Sequence, residues 1–135
     1  MKTYKVTARL VRARWVDDPP AAPGKHGGDL DIHLVIAPAN DLTEKDTMVV
    51  EFPLPLCVHA TTALRERMAK AGEAFLREGG LPGRHFHDFT GTAKITDAGF
   101  FDRPHASGAS RFGFELHPVV CFSSTDWRPA VTNGR

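Results

Sequence analysis

The sequence predicts a mainly β domain with one helix, and three observations support that prediction. The chain has 135 residues, which is the size of a single domain. Apolar and polar residues alternate along five segments, as they do in half-buried strands, and the spacing becomes helical in one further segment. The 12 glycines and 10 prolines indicate frequent turns between these elements.

Three predicted strands precede the helix. The first runs from Tyr4 to Val16, and its alternation shifts at Leu10 and Val11, as it does at a β-bulge in a long, bent strand. The second covers residues 29–37 and the third covers residues 47–53. The second has the clearest alternation, with Leu30, Ile32, Leu34 and Ile36 on one face and Asp31, His33 and Val35 on the other.

The helix and two more strands complete the predicted domain. From Thr61, apolar residues recur every three or four positions, which is typical of an amphipathic helix, and the pair Gly79-Gly80 ends it. Strands are predicted over residues 89–101 and about 111–122. One domain therefore covers residues 1–122, and residues 123–135 are expected to form a flexible tail. Within that tail, Trp127 is suited to fold back onto apolar surface.

The order strand-strand-strand-helix-strand-strand (β-β-β-α-β-β) is that of the OB-fold, a small five-stranded Greek-key barrel. We therefore expect an OB-fold-like barrel. The alternative is a split α+β sandwich with the helix on one face.

Polar residues converge on the outer face of the second, third and fifth strands of such a barrel. Their positions place Asp31, His33, Glu51, Glu115 and His117 on that face, with Asp102 and His105 in the loop before the last strand. Imidazoles and carboxylates together bind zinc, manganese or non-haem iron. One hypothesis is a divalent metal site formed by Asp31, His33, Glu115 and His117, with Glu51 as general base. The competing interpretation is ordinary cross-strand hydrogen bonding on a solvated sheet.

Composition excludes several classes of protein. A formal net charge of +1 gives no electrostatic footprint for nucleic acid, and no apolar run approaches the roughly 20 residues of a membrane span. Two cysteines make neither a disulfide framework nor a cysteine-based zinc site. Because no signal peptide is recognisable, a cytoplasmic location is expected. Secretion is the alternative if a signal peptide has been removed.

Several motifs taken together resemble a family of small uncharacterised bacterial proteins. They are the strands Asp31-Ile32-His33-Leu34-Val35-Ile36 and Met48-Val49-Val50-Glu51-Phe52-Pro53, the run Gly99-Phe100-Phe101-Asp102 with His105, and the closing Glu115-Leu116-His117-Pro118-Val119. The resemblance implies no activity, but it includes the same seven polar residues as the predicted face. Relatives in that family carry a cysteine near the helix end that would pair with Cys57. Its absence from Glu78-Gly79-Gly80 favours a reducing compartment.

These observations give three functional hypotheses. The first is a non-enzymatic OB-like binding module, with no membrane partner, whose outer face binds a nucleic acid, saccharide or protein; nucleic acid is the ligand that net charge disfavours. The second is a metal-dependent hydrolase, of phosphodiesterase or nuclease type, that uses the Asp/His/Glu patch. The third is a small interaction or inhibitor protein that uses Trp15, Trp127 and the prolines.

Overall fold

A computed structural model describes residues 2–17, 30–53, 61–79, 82–101, 114–124 and 126–130. The elements in chain order are β1 (Thr3–Asp17), β2 (Leu30–Pro38), β3 (Met48–Pro53), α1 (Thr62–Gly79), β4 (His87–Thr90), β5 (Thr92–Phe101), β6 (Phe114–Ser123) and β7 (Arg128–Pro129). The prediction of a mainly β domain with one helix is confirmed.

The strands form one sheet in the order β2-β3-β6-β5-β1-β4-β7, and β1 also pairs with β2. The pairing of β3 with β6 is parallel, and the other pairings are antiparallel. Because β1 pairs with β5 through its first half and with β2 through its second half, five strands close part of a ring. The sheet has seven strands rather than the predicted five, and their order differs from the predicted one. The expected OB-fold-like barrel is therefore not confirmed.

Gly91 explains one of the two additional strands. The sequence predicts a single strand over residues 89–101, but the chain breaks at Gly91, which has a φ of 102°. A left-handed backbone conformation of this kind interrupts a strand and favours glycine. The short β4 before the break leaves the ring and pairs with the second half of β1.

The bulge in β1 lies where the alternation of the sequence shifts. The register of β1 against β2 slips between Leu10 and Arg12, so Val11 is the extra residue. A bulge bends a strand and increases its twist. It lies within the pairing with β2, two residues after the pairing with β5 ends at Arg9, so β1 bends soon after it leaves β5.

One side of the sheet and the helix enclose the main core. Its fully buried side chains include Leu10, Leu34, Val50, Phe75, Ile95, Leu116 and Val119. Trp127 is only 4% exposed, and its ring stacks on Phe75 with centroids 4.7 Å apart. The part of the predicted tail that the structure describes, residues 123, 124 and 126–130, thus includes a core residue and β7. Residues 131–135 lie outside the described residues.

A second, smaller apolar cluster lies on the outer side of the sheet. It consists of Val11, Val35, Ala37 and Val49, and Phe86 packs against it. Phe86 therefore covers part of the outer face of β1, β2 and β3. The described helix is not long and apolar enough to cross a bilayer.

Candidate metal centre

Three adjacent strands position the candidate site. Asp31 and His33 project from β2 on the side opposite the core residues Ile32 and Leu34, as the alternation of a strand requires. The register places Glu51 of β3 directly opposite His33. Since Val50 pairs with Leu116 in the parallel β3–β6 ladder, His117 of β6 lies beside Glu51.

The side chains meet at short distances. His33 Nε2 lies 3.0 Å from Asp31 Oδ1 and 3.1 Å from Glu51 Oε1. The potential ligand atoms of Asp31, His33 and Glu51 all lie within 4.8 Å of one another. We call these three residues the ligand cluster. His117 stands outside it but contacts the other oxygen of Glu51, Oε2, through Nδ1.

Burial places two carboxylates where uncompensated negative charge is costly. Asp31 is 3% exposed and Glu51 is 7% exposed, whereas the side chain of His117 is 28% exposed. Burial lowers the pKa of His33 and so does the nearby Arg14 charge, but the carboxylates of Asp31 and Glu51 outweigh both, and the net pKa is raised. The two buried carboxylates therefore favour positive charge between them.

Two of the spacings in the ligand cluster are close to those of ligands around a small ion. Two ligand atoms bound to one tetrahedral zinc ion at about 2.0–2.2 Å lie roughly 3.4 Å apart. The two distances from His33 Nε2, 3.0 and 3.1 Å, are close to that value. Despite these distances, Nε2 is buried and makes no well-aligned hydrogen bond with any residue that the structure describes. The ring is thus placed to direct its nitrogen at an ion shared with the carboxylates.

The predicted site residues divide into two groups. The structure brings together Asp31, His33, Glu51 and His117. Asp102 and His105 lie outside the described residues, and of Glu115 only the backbone position in β6 is described.

Two charged residues were not selected from the sequence. Asp97 of β5 is fully buried. Residues two apart in a strand share a face, so its position two residues after the apolar Ile95 is the sequence signal for this burial. Arg14 lies opposite His33 in the β1–β2 register. The shift of alternation at Val11 assigns Arg14 to the outer face, but only pairing with β2 shows that it adjoins the ligand cluster.

Comparison with known proteins gives no relative from which a function could be transferred. No family model, no curated protein and no solved structure matches the chain. The function proposed below therefore rests on the geometry of the site alone.

Proposed function

We propose that this domain is a metal-dependent hydrolase that binds one divalent transition-metal ion, such as zinc, through Asp31, His33 and Glu51. The observation that supports this most strongly is the convergence of their ligand atoms within 4.8 Å on paired strands. Two carboxylates and a neutral imidazole form a ligand set suited to zinc, manganese or iron. Their two negative charges balance a divalent ion in a site that excludes most solvent.

Three protein ligands leave an ion with coordination positions for water, as in catalytic rather than structural zinc sites. An ion held by Asp31, His33 and Glu51 would lower the pKa of a bound water and so supply a hydroxide nucleophile near neutral pH. In ester hydrolysis the bond from this oxygen to the electrophilic centre would form as the bond to the leaving group breaks, and a base of the protein would pass the proton to the leaving group.

His117 is the base that we assign to this step. Glu51 contacts His33 through Oε1 and His117 through Oε2, so both of its oxygens are engaged by imidazoles. A carboxylate on Nδ1 fixes the imidazole tautomer and makes Nε2 the nitrogen that accepts a proton. The sequence hypothesis gave the role of base to Glu51. In our proposal Glu51 is a metal ligand that also orients the base.

Thermal unfolding of chelator-treated protein with zinc, manganese, cobalt, nickel, calcium and magnesium tests the metal site. An ion at about 100 times its Kd stabilises the folded state by about 2.7 kcal/mol, which raises the Tm by roughly 10 °C for this chain length. We expect Asp31→Asn and His33→Gln to abolish that rise. His87→Gln, at an exposed histidine of β4, should retain it. No rise with any transition metal would refute the proposal.

An OB-like binding module is the second candidate function. Its support is the partly closed path β1-β2-β3-β6-β5, with a parallel β3–β6 pair and α1 between β3 and β5 in the chain. The outer face of β2, β3 and β6 would then bind a saccharide, protein or nucleic acid without an ion. Ligand binding that persists in excess chelator would favour this function over the hydrolase.

A further inference from the structure

Arg14 extends the candidate site into a row of side chains across the sheet. The register sets Arg14 of β1 opposite His33 of β2, and His33 opposite Glu51 of β3. His117 of β6 continues the row through its contact with Glu51. Residues directly opposite each other in antiparallel strands point to the same face, with Cβ atoms about 4.5–5.5 Å apart. Arg14 therefore lies on the same face of the sheet as the ligand cluster.

Arg14 differs from the other arginines of β1 in what it contacts. Glu44 Oε1 lies 3.6 Å from Arg9 Nη1, and Glu44 Oε2 lies 3.8 Å from Arg12 Nη1. Arg14 lies over the ring of Phe86, 4.9 Å from its centroid, and its buried Nε has no hydrogen-bond partner among the residues that the structure describes. Among the described residues, no carboxylate forms an ion pair with it. The aromatic contact holds the guanidinium in place while leaving N–H donors for a ligand.

The charges of the loaded site indicate the charge of its substrate. If the proposed function is correct, the carboxylates of Asp31 and Glu51 balance the divalent ion. The positive charge of Arg14 is then uncompensated among the residues described. A substrate group with one negative charge that contacted both the ion and Arg14 would neutralise the remaining positive charge of the site.

We propose that the substrate is a phosphodiester, held with one non-bridging oxygen at the metal ion and the other at the Arg14 guanidinium. This inference rests on the proposed hydrolytic function, because the group at the ion must then be the one that is cleaved. Carboxylic esters and amides are neutral, whereas a phosphodiester is an electrophile that carries one negative charge. Arginine also presents paired donors in the geometry that phosphate oxygens accept.

The test compares a charged and a neutral ester on zinc-loaded protein. Bis(4-nitrophenyl) phosphate carries a negative charge in its ground state, and 4-nitrophenyl acetate is neutral. Arg14→Gln should lower kcat/KM for the phosphodiester about 10- to 100-fold, the effect of losing a charge-assisted hydrogen bond, and lower kcat/KM for the acetate by a much smaller factor. Arg14→Lys should lose less, because it keeps the charge without the paired donors. Arg12→Gln is the matched control, since Arg12 lies over the same ring at 5.3 Å but approaches Glu44.

The outcomes separate this inference from the proposed function. If the protein hydrolyses the acetate and Arg14→Gln leaves its phosphodiester rate unchanged, the inference is wrong and the proposed hydrolytic function stands. Absence of zinc binding in the wild-type protein would overturn both. Calorimetric titration of diphenyl phosphate, a poor substrate, into each zinc-loaded variant repeats the comparison without turnover. Equal affinity of the wild-type and Arg14→Gln proteins for this probe would also overturn the inference.

Discussion

Replacing Trp127 by alanine tests whether the last described segment is part of the folded domain. The residue is 4% exposed, stacks on Phe75 at 4.7 Å, and has Phe89 and Phe122 at centroid distances of 5.0 and 6.0 Å. Removal of a buried tryptophan side chain costs about 3–5 kcal/mol, which is a large part of the stability of a small domain. We therefore expect the Tm to fall by roughly 10–18 °C at this chain length.

Urea unfolding followed by circular dichroism measures the loss of stability directly. Trp127→Phe is the matched variant, because it keeps an aromatic ring in contact with Phe75, and it should lose less than half as much stability as the alanine variant. If Trp127→Ala left the unfolding midpoint unchanged, the segment would not contribute to the core. The sequence-based expectation of a flexible tail would then hold for residues 126–130.

Two further predictions concern the backbone and the site. Gly91→Ala should destabilise the domain by more than about 2 kcal/mol, because its φ is 102° and a Cβ would lie 2.5 Å from Trp127 Cα; unfolding within error of wild type would contradict this. In metal-free protein the pKa of His33 should exceed 6.5, because its carboxylate neighbours outweigh burial. The resulting stability is fully present below the unfolded-state pKa and is lost as pH rises through the folded-state pKa. Urea unfolding between about pH 5 and 9, with His33→Gln as control, measures the loss; an imidazole titration below 6.5 in NMR spectra would contradict it.

Strand periodicity made much of the site predictable. Alternation has a period of two, so the apolar side of β2 also identifies its polar side, and the same holds for Glu51 on β3. These assignments bring Asp31, His33 and Glu51 to one face once β2 and β3 are paired. The sequence does not fix how closely such side chains approach, so their convergence within 4.8 Å required the structure.

The two additional strands were not predictable in the same way. β4 and β7 contain four and two residues, which is too short for alternation to be recognised. Their pairing depends on the backbone turn at Gly91 and on the docking of Trp127 against residues distant in sequence. Tertiary contacts of this kind override local patterns, because burial of a large aromatic side chain outweighs the weak preferences of a polar segment.

The bulge at Val11 connects the fold to the chemistry that we propose. Before it, Ala8 and Leu10 face the main core; after it, Ala13 returns to the core and Arg14 points to the outer face. Because side chains alternate between the two faces of a strand, this same sequence without the bulge would place Arg12 and Arg14 on the core side. The bulge thus keeps Arg14 on the face of the ligand cluster. In our proposal, it therefore links the bend of β1 to the selection of substrate charge.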